Sequence, residues 1–329
     1  MNTTLYAAYN VNEKERMESS SGGIYSLIAE YVINHNGTVY AACYNEKLEV
    51  QHCRIDSVQN IVKSRGSKYV QSLLGDTYQR VYSDLNENRM VLFVGTPCQC
   101  AGLLKFLPEK FNYNLICVDF ICHGVPSKKT WEEYKRSVEK KVGKINSVNM
   151  RNKSTGWSKC KYSWKINGGN REYIQPQSEN TYMRGFIANL YLRPSCYKCC
   201  FKGINRQTDI TLGDFWGVWN LMPDMDDNKG TSLVFVHSEK GKRILEDLKG
   251  KMIIAEADIE EAIKINTSMI KSSTPNIKSV EFRKRMVAGE DFINVVQDLL
   301  KLPLQERLKN MFKNKVSRII RKISSGGAN

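Results

Sequence analysis

Cys196 and Cys199 stand three residues apart, just before an extended run that ends in Gly213-Asp214-Phe215-Trp216-Gly217. Two thiolates at that spacing can grip one metal centre, and zinc, iron–sulfur and metal-free thiol chemistry all use it. Cys98 follows Gly95-Thr96-Pro97, and Cys122 opens Cys122-His123-Gly124-Val125-Pro126; each lies after an apolar run and before a helical pattern. Strand ends of an open α/β sheet converge on one rim, where cofactors bind. Four thiolates from such loops would enclose one cubane cluster, with nearby glycines letting backbone N–H groups approach its negative charge. The chain has ten cysteines and only four histidines, which tilts a metal site toward sulfur ligands. Cys100 and Cys200 adjoin the four and can substitute as ligands. Cys43, Cys53, Cys117 and Cys160 fall within strand-like runs and read as small buried hydrophobes.

A second cluster of small and cationic residues lies nearer the N-terminus. Ser19-Ser20-Ser21-Gly22-Gly23 precedes a helical pattern, so its N–H groups and the helix dipole make a cradle for phosphate. The plainer reading is an ordinary N-cap with flexible glycines. Arg65-Gly66-Ser67-Lys68-Tyr69 adds two cations and an aromatic ring, or else is a basic surface turn. His123 can donate a proton near neutral pH or can serve as a structural histidine. Asp209 reads as a backbone cap, and Asp214 is open between capping and cofactor orientation.

The elements that must carry these residues follow from periodicity. Apolar residues at 24, 27, 28, 31 and 32 predict a helix over 24–33, and Asn36-Gly37 turns the chain into a strand at 38–43. Further strands are predicted over 48–54, 90–94, 115–121 and 232–237, and helices over 75–88, 98–107, 128–140 and 178–189. From 145 to 175 the pattern is short strands with glycine turns, and after 237 it is mostly helical. The fold class is α/β, with α+β as the alternative: a mixed sheet core, flanking helices and a mostly helical C-terminal region. Three regions are expected: 1–145, 146–300 carrying the Cys-x-x-Cys segment, and a basic tail, 301–329.

Composition fits a soluble globular chain: 329 residues, 41% hydrophobic and 25% charged. No apolar run reaches a membrane span, and the N-terminus lacks a signal-peptide pattern, so a cytoplasmic location is expected. The formal charge is +15, but much of it sits in one stretch: Lys301, Arg307, Lys309, Lys313, Lys315, Arg318, Arg321 and Lys322 against Glu306. The rest is only moderately basic, which gives no reason to expect a nucleic-acid partner. Within Leu304–Ile323 the apolar residues share roughly one helical face, a pattern that suits peripheral contact with the inner face of an anionic membrane or packing on the body.

Taken together, Ser19–Gly23, Arg65–Ser72, Gly95–Gln99, Cys122–Ser127 and Arg193–Gly217 resemble, in order, the motifs of the coenzyme F420 hydrogenase/dehydrogenase beta-subunit family. The likeness includes bacterial members found among surface-polysaccharide genes and covers about residues 5–240. Relatives bind FAD and 4Fe-4S clusters and pass electrons between a hydride carrier and one-electron partners. The resemblance implies one 4Fe-4S cluster on Cys98, Cys122, Cys196 and Cys199. It implies FAD contacts from Ser20, Ser21, Gly22, Gly23, Arg65, Ser67, Lys68 and Tyr69; Thr96 is a further candidate for cofactor binding, and His123 is the candidate proton donor. Many relatives begin with a ferredoxin-like module that this sequence lacks, so a ferredoxin or a partner redox subunit is expected to supply or accept electrons, with a small-molecule substrate. The rival expectations are a zinc-binding scaffold for polysaccharide assembly and a family member that has lost electron transfer.

Overall fold

The computed structural model describes residues 3–301. The chain begins with β1 (Thr4–Asn10), α1 (Glu13–Glu18) and α2 (Ile24–Asn34), then a hairpin of β2 (Thr38–Tyr44) and β3 (Val50–Ile55). Next come α3 (Thr77–Asn86), β4 (Val91–Gly95), α4 (Pro97–Phe106), β5 (Leu115–Phe120) and α5 (Lys128–Val142). A meander of β6 (Ile145–Asn152), β7 (Ser163–Gly168) and β8 (Arg171–Pro176) leads to α6 (Thr181–Ile187). The chain then forms β9 (Ile210–Asp214), α7 (Val218–Leu221), β10 (Ser232–Val236), α8 (Glu239–Asp247) and β11 (Met252–Glu256). The last described helices are α9 (Ile259–Ile265), α10 (Ser279–Val287) and α11 (Phe292–Leu299).

Eight strands form one mixed sheet in the order β11-β1-β10-β9-β5-β4-β2-β3. Its centre, β2, β4, β5 and β9, is parallel, and the outer pairs are antiparallel. The α/β expectation holds. Parallel strands need crossovers: α3 follows the β2–β3 hairpin into β4, α4 joins β4 to β5, and α5 follows β5. The three-stranded antiparallel sheet β6-β7-β8 stands apart in hydrogen bonding. It packs with α5, α6, α10 and α11 around an aromatic core that includes Trp131, Tyr134, Trp164, Tyr182, Tyr191 and Phe292. Residue 145 opens this second sheet, while β9, β10 and β11 return to the first.

Three local readings change. Residues 4–10, given no element from sequence, form β1, which pairs with both β10 and β11. The segment after 237 contains β11, whose five residues make too short a run for periodicity to separate strand from helix. Cys160 lies at the end of a 3-10 turn, Ser158–Cys160, and is exposed rather than buried in a strand. Among the described residues no helix is long and apolar enough to cross a membrane. The basic amphipathic stretch Leu304–Ile323 lies outside the described residues.

Candidate functional site

The C-terminal ends of β4 and β5 are adjacent, so the loops bearing Cys98 and Cys122 emerge side by side. At the first, Thr96 caps α4: its side chain and that of Gln99 form a reciprocal capping box, with Pro97 in the first turn. This leaves Cys98 exposed on the opening turn, its Sγ 3.2 Å from Thr96 Oγ1. At the second, Cys122 is partly buried, and burial pushes its thiol up to about 12. The neighbours acting on it include Lys202, which opposes that rise, and Cys196 and Cys98, which add to it.

Cys196 and Cys199 precede β9 and reach the rim by a different device. A bridge between Pro126 and Leu192, reinforced by Arg193 N–H donating to the Val125 carbonyl at 3.0 Å, fastens their segment to the loop after Cys122. Val125 N–H then donates to Cys196 Sγ at 3.5 Å. Gly124 permits this approach. Its φ is +142°, and a Cβ there would lie 2.9 Å from Leu192 Cδ1 and 3.2 Å from Cys196 Cβ. Lys202 Nζ donates to the Cys122 carbonyl and, at 2.7 Å, to that of Ser268. Burial lowers the Lys202 pKa, while Cys122, Cys199 and Cys196 draw it back up. Lys202 is thus the positive charge that acts on three of the thiols, and Cys98 acts on Cys122.

The four thiols suit iron–sulfur or zinc chemistry in type and neighbourhood. Among the described residues, however, no three His, Cys, Asp or Glu side chains close on one point as metal ligands do. Of the two substitutes, Cys200 is exposed. Cys100 is fully buried in the cluster between the sheet and α3–α4, its Sγ directed at the Val118 carbonyl.

The serine–glycine loop and the Arg65 loop meet directly: Ser67 N–H donates to Ser20 Oγ at 2.6 Å, and the two hydroxyls lie 2.8 Å apart. Several residues of the expected cradle turn inward. Ser21 Oγ donates to the Thr231 carbonyl at 2.6 Å, and Gly22 N–H donates to Ser232 Oγ at 3.0 Å. A Cβ on Gly22 would come within 2.2 Å of the Ala8 carbonyl oxygen, so glycine is needed here for packing against the sheet. Gly23, left-handed at φ +83°, caps α2 without a side-chain bond. Arg65 pairs with Glu15 at 2.7 Å and Glu18 at 2.5 Å, and Lys68 Nζ donates to the carbonyls of Ser64, Arg65 and Gly66.

Tyr69 links this loop to the cysteines. Its ring lies 5.0 Å from that of Phe186, which in turn lies 5.0 Å from His123. His123 Nε2 is 2.6 Å from Asn189 Oδ1 and therefore carries the proton of that bond; burial lowers the His123 pKa and keeps the ring neutral.

Sequence reading missed the charged groups beneath these loops. Arg151 of β6 is buried and donates to the Ser20 carbonyl at 3.0 Å, to Asp214 at 3.0 Å and to Tyr69 Oη at 3.1 Å. Its guanidinium lies 3.9 Å from the Tyr162 ring centre and 5.1 Å from that of Trp216. Trp157 stacks on Trp216 at 5.0 Å and also donates to the Ser20 carbonyl. Asp214 is thereby assigned: it is the partly buried counter-charge of Arg151. Asp209 instead accepts from Cys117 N–H and Ser238 Oγ, bracing β5. Lys153, also buried, donates to the carbonyls of Arg16, Ser21 and Lys229, and burial lowers its pKa to about 7. The only signal in the sequence was Arg151-Asn152-Lys153 placed ahead of Gly156-Trp157, two cations where a strand should bury apolar groups.

Comparison with known proteins follows the same lines. The family model for the C terminus of the coenzyme F420 hydrogenase/dehydrogenase beta subunit matches residues 88–262. No curated protein matches the chain. Among solved structures, a chain of the F420-reducing NiFe hydrogenase complex from Methanosarcina barkeri, studied by xenon derivatization, superposes with a TM-score of 0.55. It is 16% identical, and the match covers 88% of this chain and 94% of that chain, a likeness of fold.

Proposed function

Because this chain belongs to the coenzyme F420 hydrogenase/dehydrogenase beta-subunit family, we propose that it is an oxidoreductase dependent on FAD and one 4Fe-4S cluster. It would move electrons between a hydride carrier or substrate and a one-electron partner, a ferredoxin or a partner redox subunit. The observation that carries this reading is the continuity of the site. The Ser20–Ser67 contact, the Tyr69–Phe186–His123 ring series and the Cys122–Cys196–Lys202 cluster form one connected wall.

Within that wall Cys98, Cys122, Cys196 and Cys199 would hold the cluster, and the Ser20–Gly23 and Arg65–Tyr69 loops would hold the flavin. A flavin takes a hydride and releases electrons singly, which is the chemistry such a pair supplies when bound. The protein's own part is positional. Arg151 fixes the Ser20 carbonyl and Tyr69 in one bonded frame with Asp214. Phe186 and Tyr69 pack ring against ring between the two loops, and His123, next in the chain to Cys122, holds a proton on Nε2. Lys202 places positive charge where the thiolates would carry negative charge. The resemblance to members found among surface-polysaccharide genes makes that biosynthesis the proposed setting.

Anaerobic purification tests the reading. FAD with stoichiometric iron and acid-labile sulfide, bleached by a low-potential reductant, is the expected result. Colourless protein with stoichiometric zinc would overturn it in favour of a scaffold.

A further inference from the structure

The β2–β3 hairpin carries a second pair of thiols that the proposed chemistry does not use. Register sets Cys43 opposite Gln51 and Cys53 opposite Ala41, so the cysteines are diagonal neighbours on one face of the sheet. Neighbours on that face, the two thiols influence each other's protonation, and Cys43 Sγ points at the Ala41 carbonyl at 3.7 Å. Gln51 Nε2 adds a bond to Cys53 Sγ at 3.8 Å. Cys43 is buried, but Cys53 is partly open. Both line a groove of about 610 Å³, together with Glu46, Arg54, Asn60 and Lys63. Lys68, immobilised by its three carbonyls, supplies a second cation beside the sulfurs.

The two thiols are not equivalent. The neighbouring Cys43 thiol, assisted by Gln51, Lys68 and Lys63 against the cost of burial, brings Cys53 down to about 6. The same pairing and burial push Cys43 well up. The charged and titratable groups acting on the pair are Tyr25 of α2, Lys63 of the 3-10 turn Val58–Lys63, and Lys68; Glu46, Lys47, Glu49 and Arg54 line the rest of the groove, with Arg54 turned to Asp84 and Asp56. One thiol is thus a nucleophile facing a groove, and its neighbour is a protonated thiol behind it.

We propose that Cys53 and Cys43 form a thiol–disulfide exchange site for low-molecular-weight disulfides that reach it through the groove, separate from the strand-end cysteines. The Cys53 thiolate attacks one sulfur of R–S–S–R. That S–S bond breaks, a Cys53–S–S–R bond forms, and RS⁻ leaves to take a proton from water. Cys43 then gives its proton to water and attacks Cys53 Sγ, forming the Cys43–Cys53 disulfide and expelling a second RS⁻. Two protein thiols are oxidised, and one external disulfide is reduced to two thiols. A dithiol reductant reverses the sequence.

The test uses the full chain, purified anaerobically, freed of reductant and treated with 2-hydroxyethyl disulfide before alkylation and peptide mass analysis. At pH 6 about half of a thiol titrating near 6 is thiolate, against under about 1% for an ordinary one; lower nucleophilicity takes back roughly an order of magnitude. Cys53 should therefore be consumed at least about tenfold faster than Cys160, an exposed thiol that does not line the groove and whose own pKa burial raises. Tryptic peptides 17–47 and 48–54 should become disulfide-linked, and dithiothreitol should part them. Cys43→Ala should trap the mixed disulfide on Cys53, and Cys53→Ser should leave Cys43 unmodified. Equal rates at Cys53 and Cys160, or a mixed disulfide that persists in the unsubstituted chain, would overturn the proposal, and both are read without any variant.

Discussion

Cys117 lies inside β5 and Cys122 just past its end, yet their surroundings differ in kind. Within the strand, the pleat turns Cys117 into an apolar cluster with Phe93, Leu103 and Leu115, and Cys100 packs beside it. Beyond the strand, no ladder dictates direction. Cys122 there meets Lys202, Cys196 and a glycine loop that admits a second chain segment. Residue type alone therefore does not decide what a thiol does here. Its position relative to a strand end decides whether it fills space or faces other ligand-type groups.

The most direct challenge to this contrast is to remove one thiol from each side. Cys196→Ser or Cys199→Ser should abolish essentially all bound iron, whereas Cys117→Ala should leave iron per chain unchanged. Equal loss in both classes, read by iron and sulfide analysis, would erase the distinction. A second test asks what holds the rim in place. Arg151→Met leaves the partly exposed Asp214 without its ion-pair partner, and a loss of about 2–3 kcal/mol in urea unfolding is expected. A change below about 1 kcal/mol would mean that aromatic packing alone supports the loops.

A pH series probes the strand interior. His52, within β3, is partly buried: Nε2 donates to the Val94 carbonyl and Nδ1 accepts from Ser72 Oγ, so the ring is held neutral. Burial lowers its pKa from 6.5 to about 4. The unfolded chain thus binds a proton that the folded chain refuses. Stability from this group is present above about pH 6.5 and lost as pH falls toward 4, on the order of 3 kcal/mol. Urea midpoints at pH 7 and pH 4.5, compared between the unsubstituted chain and His52→Gln, should show the variant losing less. The smallest effect expected is from Cys100→Ala, which removes one buried sulfur from a packed cluster: about 1 kcal/mol of stability and no change in iron.

Much of this was legible in the chain itself. The helix at α2, the hairpin β2–β3 and the β4–α4 and β5–α5 units follow from local periodicity and from Gly and Pro at their ends. The loop cysteines stood out for the same reason, because each is bracketed by residues that end strands or begin helices. Arg151 and Lys153 did not stand out, and Asp214 was noticed without its role being fixed, since a buried charge looks like a surface charge until its partner is known. Arg151 bonds to the Ser20 carbonyl from 131 positions away. Cys53 was hidden likewise: a strand cysteine reads as core, and only the groove beside the hairpin shows it to be open.

The local units and the chemical repertoire were set by the order of residues, because periodicity, turn residues and side-chain type act over a few neighbouring positions. Which of those units meet was settled only on folding. Folding set β1 between β10 and β11, brought the Cys196 segment to the Cys122 loop through the Pro126–Leu192 bridge, and enclosed Arg151 with Asp214 under the serine loop. Those choices depend on burying apolar faces and pairing buried charges across long separations in the chain, and no short window of sequence contains both partners.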